Sequence, residues 1–402
     1  MAVKLDAERW WGQPGIRDLL TVLGAEDGLI RFVGGTVRDE LLGIPHADVD
    51  LATRLDPAAV MERLGTTKIK AVPTGIDHGT ITAVSRGQVA EITTLRRDVS
   101  TDGRRAVVAF TEDWEEDAAR RDFTINALFA DPVSGEIFDY YGGLDDLATR
   151  HIRFIGDPLE RIAEDHLRIL RFFRFHARFG SGPPDEAALL ACTARANDLM
   201  ALSRERIADE LLKLLAVEDP AETIGIMLER AILKPVLPEI APERLADLEA
   251  LIEAERAAAI APDALRRLAA LLPRDPALAE AIAARLKLSN KARKRLACAA
   301  DGELGLSPQA LGYRVGPDCA VDRFLLAGRA ADAAEVQSWK PPRLPVSGGA
   351  LIARGLPEGP VVARTLRRIE DDWVAAGFPS GATLEEIVAR ELAAADCPKS
   401  EG

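Results

Sequence analysis

The chain has 402 residues, enough for two to four domains, and its formal net charge of −13 argues against wholesale binding of polyanions. Hydrophobic residues make up 48 % of the sequence but aromatic residues only 5 %, and alanine and leucine dominate the second half, which favours helices. No apolar run approaches the ~20 residues of a membrane span, and the first 20 residues carry charges of both signs, so we expect no spanning helix or signal peptide and a cytoplasmic location.

Residues 1–142 mix helical and strand patterns. Apolar residues recur at helical spacing from Ile16 to Leu23, and short β-branched runs bounded by Gly, Asp or Pro follow. These runs are LIRFVGG, DVDLAT, GTITAVS, QVAEITTL and RAVVAF. The pattern predicts a small mixed sheet with helices.

Two aspartates, Asp48 and Asp50, stand one residue apart in the run DVDLAT. On a strand, the period of two places both carboxylates on one face, where their repulsion favours a bound divalent cation such as Mg²⁺. Upstream, Gly34 and Gly35 allow backbone amides to approach an anion, and Arg38 is placed to bind a phosphate oxygen. A solvated acidic turn and an ordinary glycine turn are the alternatives for each motif alone, but their combination indicates a nucleoside triphosphate site.

The segment RRDFTINA, residues 120–127, offers two arginines and an aspartate before an apolar stretch. Arg120 and Arg121 suit a triphosphate, and Asp122 suits ribose hydroxyls. The alternative is a charged helix start in which Asp122 lies near the positive end of the helix dipole.

From residue 143 onward almost every segment has helical periodicity. In ERIAEDHLRILRFFRFHAR, residues 160–178, four polar residues recur at steps of three: Asp165, Arg168, Arg171 and Arg174. On one continuous helix this row drifts by 60° per step, so only Asp165 and Arg168 are close neighbours, able to contact the edge of a base. Spacing alone favours an ordinary ion pair on a solvated face.

A local basic excess lies in RLKLSNKARKRL, residues 285–296. It is a candidate surface for phosphate backbones, and a solvated helix face is an equal alternative. Its members are Arg285, Lys287, Lys291, Arg293, Lys294 and Arg295. Further on, Pro360 after Gly359 predicts the start of a helix. The cysteines at 192, 298, 319 and 397 are too scattered for a metal motif, and we expect reduced thiols.

Together these segments resemble the bacterial class II tRNA nucleotidyltransferases, the CCA-adding enzymes, and the related poly(A) polymerases. The matches are GGTVRD with DVD, RRDFTINA, EDHLR at 164–168, SRERIADELLKLL at 203–215 and the tail at 345–373, in family order. The resemblance implies an α+β fold with a nucleotidyltransferase head at 1–142. A helical neck with the base-selecting motif at 143–216 and a helical, tRNA-binding body and tail at 217–402 would follow.

The resemblance also implies an activity, the template-independent addition of C, C and A to the 3′ end of tRNA from CTP and ATP with release of pyrophosphate. Asp48 and Asp50 would bind two Mg²⁺ ions, with Glu91 as the third carboxylate. Asp165 and Arg168 would read the incoming base, which reverses the preference for an ordinary ion pair. The remaining nucleotide contacts would come from Gly34, Gly35, Arg38, Arg120, Arg121, Asp122, Asn126, Arg171 and Arg174.

Several alternatives stay open within and beyond the family. The stretch at 95–110, with Asp102 and Arg104, resembles the flexible loop that permits the change from C to A, so complete CCA addition is favoured over CC-only or A-only addition. GIDHGTITAV at 75–84 looks like the tRNA-enzyme version of its strand, which disfavours a poly(A) polymerase. A non-catalytic tRNA-binding protein would lose a DVD carboxylate, and an enzyme for small molecules or proteins would not need the helical tail.

Overall fold

The computed structural model describes residues 4–45, 49–102, 105–305 and 307–396. The chain divides into two compact units, the first formed by residues 1–214 and 222–236 and the second by residues 215–221 and 237–402. No helix within the described ranges has the length and apolar character needed to cross a membrane.

The first unit contains a seven-stranded mixed sheet in the order β3-β4-β5-β2-β1-β8-β9. Among the described strands of this sheet, only β2 and β5 pair in parallel, and the other neighbours are antiparallel. The strands are β1 (Ile30–Val33), β2 (Val49–Thr53), β3 (Lys70–Gly75), β4 (Thr80–Ser85), β5 (Gln88–Thr94), β8 (Leu128–Ala130) and β9 (Ile137–Asp139). A separate hairpin joins β6 (Arg96–Asp102) to β7 (Arg105–Phe110). The predicted small mixed sheet is therefore confirmed.

Some helices of the first unit lie before or between the strands in the sequence, and the others follow the last strand. The helices before and between the strands are α1 (Ala7–Trp11), α2 (Pro14–Val22), α3 (Gly35–Leu41), α4 (Pro57–Gly65) and α5 (Trp114–Ala119). Those after the sheet are α6 (Gly143–Thr149), α7 (Pro158–Glu164), α8 (Arg168–Phe179), α9 (Glu186–Ala194), α10 (Arg204–Leu215) and α11 (Ala221–Glu229). Phe172 and Phe173 of α8 are fully buried, and Phe123 packs on Phe172 and Phe175, so α8 is fixed on the segment that carries Asp122.

The expectation of one continuous helix over residues 160–178 is wrong. Helix α7 ends at Glu164, Asp165 is extended with φ −152° and ψ 106°, and α8 begins at Arg168. The Oδ1 atom of Asp165 accepts a hydrogen bond from the backbone N–H of Leu167 at 3.1 Å. Aspartate side chains compete with helical bonding in this way, so Asp165 is not part of the helix that carries the three arginines.

The second unit has only helices among its described elements. They are α12 (Leu245–Ala257), α13 (Ala264–Leu271), α14 (Pro276–Arg285), α15 (Asn290–Ala300), α16 (Pro308–Val315), α17 (Pro317–Leu326), α18 (Ala330–Ser338), α19 (Gly348–Ala353), α20 (Pro360–Ala375) and α21 (Ala382–Asp396). Helix α20 begins at Pro360, as predicted, because a proline at the first helical position loses no hydrogen bond.

The cysteines differ from the sequence expectation. Cys298 of α15 and Cys319 of α17 form a disulfide, so the prediction of reduced thiols is wrong for this pair. Cys192 is free and buried, and Cys397 lies outside the described residues. Burial raises the pKa of the Cys192 thiol, which makes it unreactive.

Candidate functional site

One cleft of about 580 Å³ in the first unit collects the predicted catalytic and nucleotide-binding residues that the structure describes. The sheet and its loops line one side, and α8 lines the other. The predicted residues in its lining are Gly34, Gly35, Arg38, Asp50, Glu91, Arg120, Arg121, Asp122, Asn126, Asp165, Arg168, Arg171 and Arg174. Asp48 and Arg104 lie outside the described residues, and Asp102 is the last residue of β6.

Two carboxylates lie side by side at the sheet wall of the cleft. Asp50 of β2 and Glu91 of β5 are direct register partners in the parallel pair, and strands in a sheet are about 4.8 Å apart. The backbone N–H of Asp50 donates to Thr36 Oγ1 at 2.7 Å, which ties this strand to α3. Two neighbouring carboxylates supply the hard oxygen ligands that a divalent cation prefers.

The described residues contain no group of three His, Cys, Asp or Glu side chains arranged to hold a metal ion. Asp48 precedes β2 and lies outside the described residues. Of the three predicted carboxylates, the structure therefore describes only Asp50 and Glu91.

The turn between β1 and α3 depends on Gly34. Gly34 has φ +60° and ψ −118°, a conformation that side chains rarely adopt, and a Cβ there would lie 3.2 Å from Nη1 of Arg121. A Cβ on Gly35 would lie 3.5 Å from Oδ2 of Asp50. The backbone of this turn therefore passes close to both the carboxylates and the arginines of the cleft.

A buried hydrogen-bonded chain runs through the cleft from α3 to α8. Arg38 donates to Asn126 Oδ1 at 2.5 Å, and the Asn126 amide donates to Asp122 Oδ1 at 3.0 Å. Asp122 Oδ2 then accepts two bonds from Arg171, from Nε at 2.7 Å and from a terminal nitrogen at 2.5 Å. Arg38 also pairs with Asp39 at 2.7 Å and lies 4.1 Å from the centre of the Phe179 ring. These contacts fix the orientation of each side chain before any ligand binds.

Asp122 is held ionised by its partners. Burial alone raises the pKa of a carboxyl group, but the charge of Arg171 and the hydrogen bonds from Asn126 and Arg171 outweigh it and lower the pKa of Asp122 to about 2. Because the folded pKa lies below the ordinary value of 3.8, the ionised group stabilises the fold at every pH above that value.

This pKa leads to a prediction about acid stability. At pH 7, Asp122→Asn should lower the free energy of unfolding by about 2 kcal/mol, the equivalent of the pKa shift. The difference between wild type and variant should shrink as the pH falls from about 4 to about 2, because Asp122 then becomes protonated in the wild type too. Urea denaturation of both proteins at several pH values measures it, and a difference that stays constant down to pH 2 would contradict the assignment.

A second buried acid, Asp117 of α5, orients two predicted phosphate-binding arginines. Asp117 is 1 % exposed, and its carboxylate pairs with Arg120 at 2.7 Å and with Arg121 at 2.9 Å. Burial outweighs this attraction at Arg120 and lowers its pKa to about 10, so the side chain stays charged at neutral pH. Sequence reasoning missed Asp117, although its spacing of three and four residues from the arginines was a usable signal.

The two predicted base-reading residues do not pair with each other. Asp165 Oδ2 accepts from Arg206 of α10 at 2.7 Å. Arg168 pairs with Glu164 and donates to the carbonyl oxygens of Arg161 at 2.8 Å and of Arg120 at 3.2 Å. The predicted neighbour pair therefore becomes two separately anchored groups that both line the cleft. Arg206 and Glu164 lie in the segments 203–215 and 164–168 that carry the resemblance, but the sequence analysis assigned neither of them this role.

The other arginines of α8 share a buried acid from α10. Arg174 donates to Glu210 at 2.6 Å, and Arg171 lies 3.7 Å from the same carboxylate. Glu210 is 3 % exposed, which fixes both arginines against α10. Among the described lining residues, seven arginines stand beside four carboxylates. Acids outside the lining pair with most of these arginines, namely Asp39, Asp117, Glu164 and Glu210, so the cleft presents guanidinium groups whose orientation is already fixed.

The basic segment of the second unit is less available than its sequence indicates. Arg285 pairs with Glu239 at 2.6 Å, Arg293 with Glu280 at 3.2 Å, and Arg295 with Asp322 at 2.7 Å. Lys287, Lys291 and Lys294 are exposed. The structure therefore gives each of these three arginines a carboxylate partner.

Comparisons with known proteins place these features in context. The family model of the Poly A polymerase head domain matches residues 30–153, and that of the Probable RNA and SrmB- binding site of polymerase A matches residues 184–244. The mitochondrial CCA tRNA nucleotidyltransferase 1 of Mus musculus is 34 % identical over 384 residues, which cover 90 % of this chain and 87 % of that protein. A CCA-adding enzyme of Staphylococcus saprophyticus is 38 % identical over 200 residues, 49 % of each chain.

Among solved structures, the chain is similar to a CCA-adding enzyme from Bacillus stearothermophilus, crystallised in complex with CTP. The TM-score is 0.71 at 26 % sequence identity, and the match covers 95 % of this chain and 99 % of the other. The likeness spans both the sheet-containing unit and the helical unit.

Proposed function

The chain belongs to the CCA tRNA nucleotidyltransferase family, and on this premise we propose that it adds C, C and A in turn to the 3′ end of tRNA, using CTP and ATP. Pyrophosphate is the leaving group, and no nucleic-acid template is needed. The observation that carries this proposal is the cleft in which neighbouring carboxylates, a glycine turn and seven arginines face one another.

Nucleotidyltransferases of this family use divalent metal, and we propose Mg²⁺ for this protein. The donor set fits, because Asp50 and Glu91 offer carboxylate oxygens from adjacent strands, and Asp48 would add a third. When bound, Mg²⁺ ions would lower the pKa of the attacking 3′-hydroxyl and neutralise charge on the triphosphate.

Different residues of the cleft bind the triphosphate, the ribose and the base of the incoming nucleotide. Arg120 and Arg121, oriented by Asp117, bind phosphate oxygens, and the backbone of Gly34 and Gly35 allows close approach. Asp122 contacts the ribose, and its bonds with Asn126 and Arg171 keep it in place. Arg38 shapes this pocket from α3, because Asp39 and Asn126 already use its donors.

Selection of the base falls to Asp165 and Arg168. A carboxylate that only accepts and a guanidinium that only donates complement the Watson–Crick edge of cytosine or adenine. Arg206 holds Asp165 and Glu164 holds Arg168. The edge of the base is therefore read by protein groups whose positions do not depend on a template strand. Arg171 and Arg174 lie farther along α8 and face the triphosphate or shape the pocket.

The wider organisation follows the same proposal. The head would cover residues 1–142, the neck 143–216 and the tRNA-binding body and tail 217–402. In the tail, the basic residues would contact tRNA phosphates, and its three arginines also form ion pairs. These residues are Arg285, Lys287, Lys291, Arg293, Lys294 and Arg295. A cytoplasmic location stays a prediction.

Incubation of purified protein with Mg²⁺, labelled nucleotides and tRNA that lacks its 3′ end tests the activity. Ordered incorporation of C, C and A is the expected result. Addition that stops after two C residues, or that adds only A to a tRNA ending in CC, would identify a partial enzyme. Unlimited incorporation of A would identify a poly(A) polymerase. Binding of tRNA with no incorporation would favour a non-catalytic binding protein.

A further inference from the structure

One stretch of the cleft wall has no role in the binding of the incoming nucleotide described above. It consists of Thr80, Thr93 and Arg96, all of which line the cleft. They lie on the sheet side, where β4 and β5 pair and β6 begins. The base-reading and ribose-binding residues Asp165, Arg168 and Asp122 lie on or next to the opposite wall, near α8.

The two threonines extend the line of the carboxylates. Thr93 stands two residues after Glu91 on β5, so its side chain shares the face of Glu91. Thr80 is the direct register partner of Thr93, and their hydroxyl oxygens are 3.4 Å apart. One bond between the two hydroxyls leaves one donor and several acceptor positions for a ligand.

Arg96 comes next in this row and is fixed at two points. Its guanidinium donates to the carbonyl oxygen of His78, two residues before Thr80. Its backbone N–H donates to Oδ1 of Asp117 at 3.2 Å. The row therefore runs from a carboxylate, through two hydroxyls, to a cation held at a set place on the cleft wall.

The order of these side chains matches the order of chemical groups on the terminal nucleotide of the RNA that is extended. In-line transfer requires the acceptor 3′-hydroxyl near the carboxylates, on the side away from the leaving pyrophosphate. The terminal acceptor nucleotide then presents its ribose 2′-hydroxyl beside the 3′-hydroxyl, and its 5′-phosphate farther off. Threonine hydroxyls bind a sugar hydroxyl, and arginine binds a phosphate.

We propose that Thr80, Thr93 and Arg96 form the subsite for the 3′-terminal nucleotide of the acceptor RNA, with the threonines at its ribose 2′-hydroxyl and Arg96 at its phosphate. This subsite rests on the proposed nucleotidyl transfer. It also selects RNA acceptors, because the threonine contacts require a 2′-hydroxyl.

The test pairs a protein change with a substrate change. Wild type, Thr93→Val and Thr93→Ser are compared on two RNA acceptors that differ only in the terminal 2′-position, hydroxyl or hydrogen, with the 3′-hydroxyl kept. The 2′-deoxy acceptor should lower kcat/KM of the wild type about fivefold, the worth of one hydrogen bond. Thr93→Val should lower kcat/KM on the ribose acceptor by about the same factor. On the deoxy acceptor the substitution should lower kcat/KM little further, because the hydrogen bond is already absent there. Thr93→Ser should restore the ribose preference.

Arg96→Ala should raise KM for the acceptor about tenfold while KM for CTP stays within twofold, as for loss of one charged contact. Arg96→Lys should recover part of this loss, because it keeps the charge but not the guanidinium geometry. Arg17→Ala is the matched control, since Arg17 is exposed on α2 and is not part of the cleft lining. Its kinetics should equal those of the wild type.

If Thr93→Val lowers kcat/KM by the same factor on the ribose and the deoxy acceptor, the proposed contact between Thr93 and the 2′-hydroxyl is overturned. A rise in KM for CTP rather than for the acceptor in Arg96→Ala would assign Arg96 to the incoming nucleotide and overturn its place in the subsite. Either result leaves the proposed function standing if the wild type adds C, C and A. Failure of the wild type to extend either acceptor would overturn the proposed function and this subsite with it.

Discussion

Asp50→Asn is expected to lower the rate of nucleotide addition by at least about 10³-fold while leaving the fold and the binding of tRNA nearly unchanged. The amide has the shape of the carboxylate but no charge, so it neither holds a divalent cation well nor favours the ionised acceptor hydroxyl. The backbone bond from Asp50 to Thr36 does not depend on the side chain and should keep β2 in place.

Single-turnover addition of one C to tRNA measures this effect, with filter binding of tRNA as the second readout. Asp56→Asn is the matched control, because Asp56 follows β2, is exposed and caps α4 through Ala59 N–H, a role that asparagine fills equally well. Turnover by Asp50→Asn within tenfold of the wild type would contradict a metal-binding role for this residue.

Arg168→Ala is expected to blur the choice of nucleotide more than it weakens nucleotide binding. Loss of a charged hydrogen bond to the base edge should lower the preference for C over U and G by about 10- to 100-fold. Glu164 and Asp165 both stay in the variant, and Asp165 is still held by Arg206, so the acceptor half of the reading edge persists. KM for CTP should change less than the selectivity does.

Competition between labelled CTP and UTP or GTP during the first addition step gives the selectivity directly. Arg178→Ala is the matched control on the same helix, because Arg178 is outside the cleft lining and packs over the Phe179 ring at 4.9 Å. It should keep the wild-type preference. Full C selectivity in Arg168→Ala would refute the base-reading role.

The strands that carry the carboxylates were predictable because their signals are local. Alternating β-branched residues bounded by glycine and aspartate predict strands without knowledge of their partners, and β1, β2, β4, β5 and β7 match the five runs. The short strands β8 and β9 were not predicted, since three residues carry too little pattern. Their pairing with β1 depends on the sheet that receives them.

The break at Asp165 shows where periodicity fails. The sequence around it has helical spacing on both sides, but the aspartate bonds its own backbone and pairs with Arg206, 41 residues away. No local pattern contains a partner at that distance. The role of Glu210 was missed for the same reason, because its partner Arg174 is 36 residues away. Asp117 is close to its arginines in sequence, but only the structure shows that it is buried beneath them.

The sequence by itself determined which groups the chain offers and in what order: two acids after a glycine turn, paired arginines before an aspartate, and a charged segment that follows, all in the order of one family. Residue types and short spacings carry that information, because they depend only on local geometry and charge. Only the tertiary structure decided which groups are neighbours, with Asp50 beside Glu91, Asp122 bound to Arg171 and Asp165 held by Arg206. Those contacts join residues 41 to 49 positions apart, and only packing brings them together.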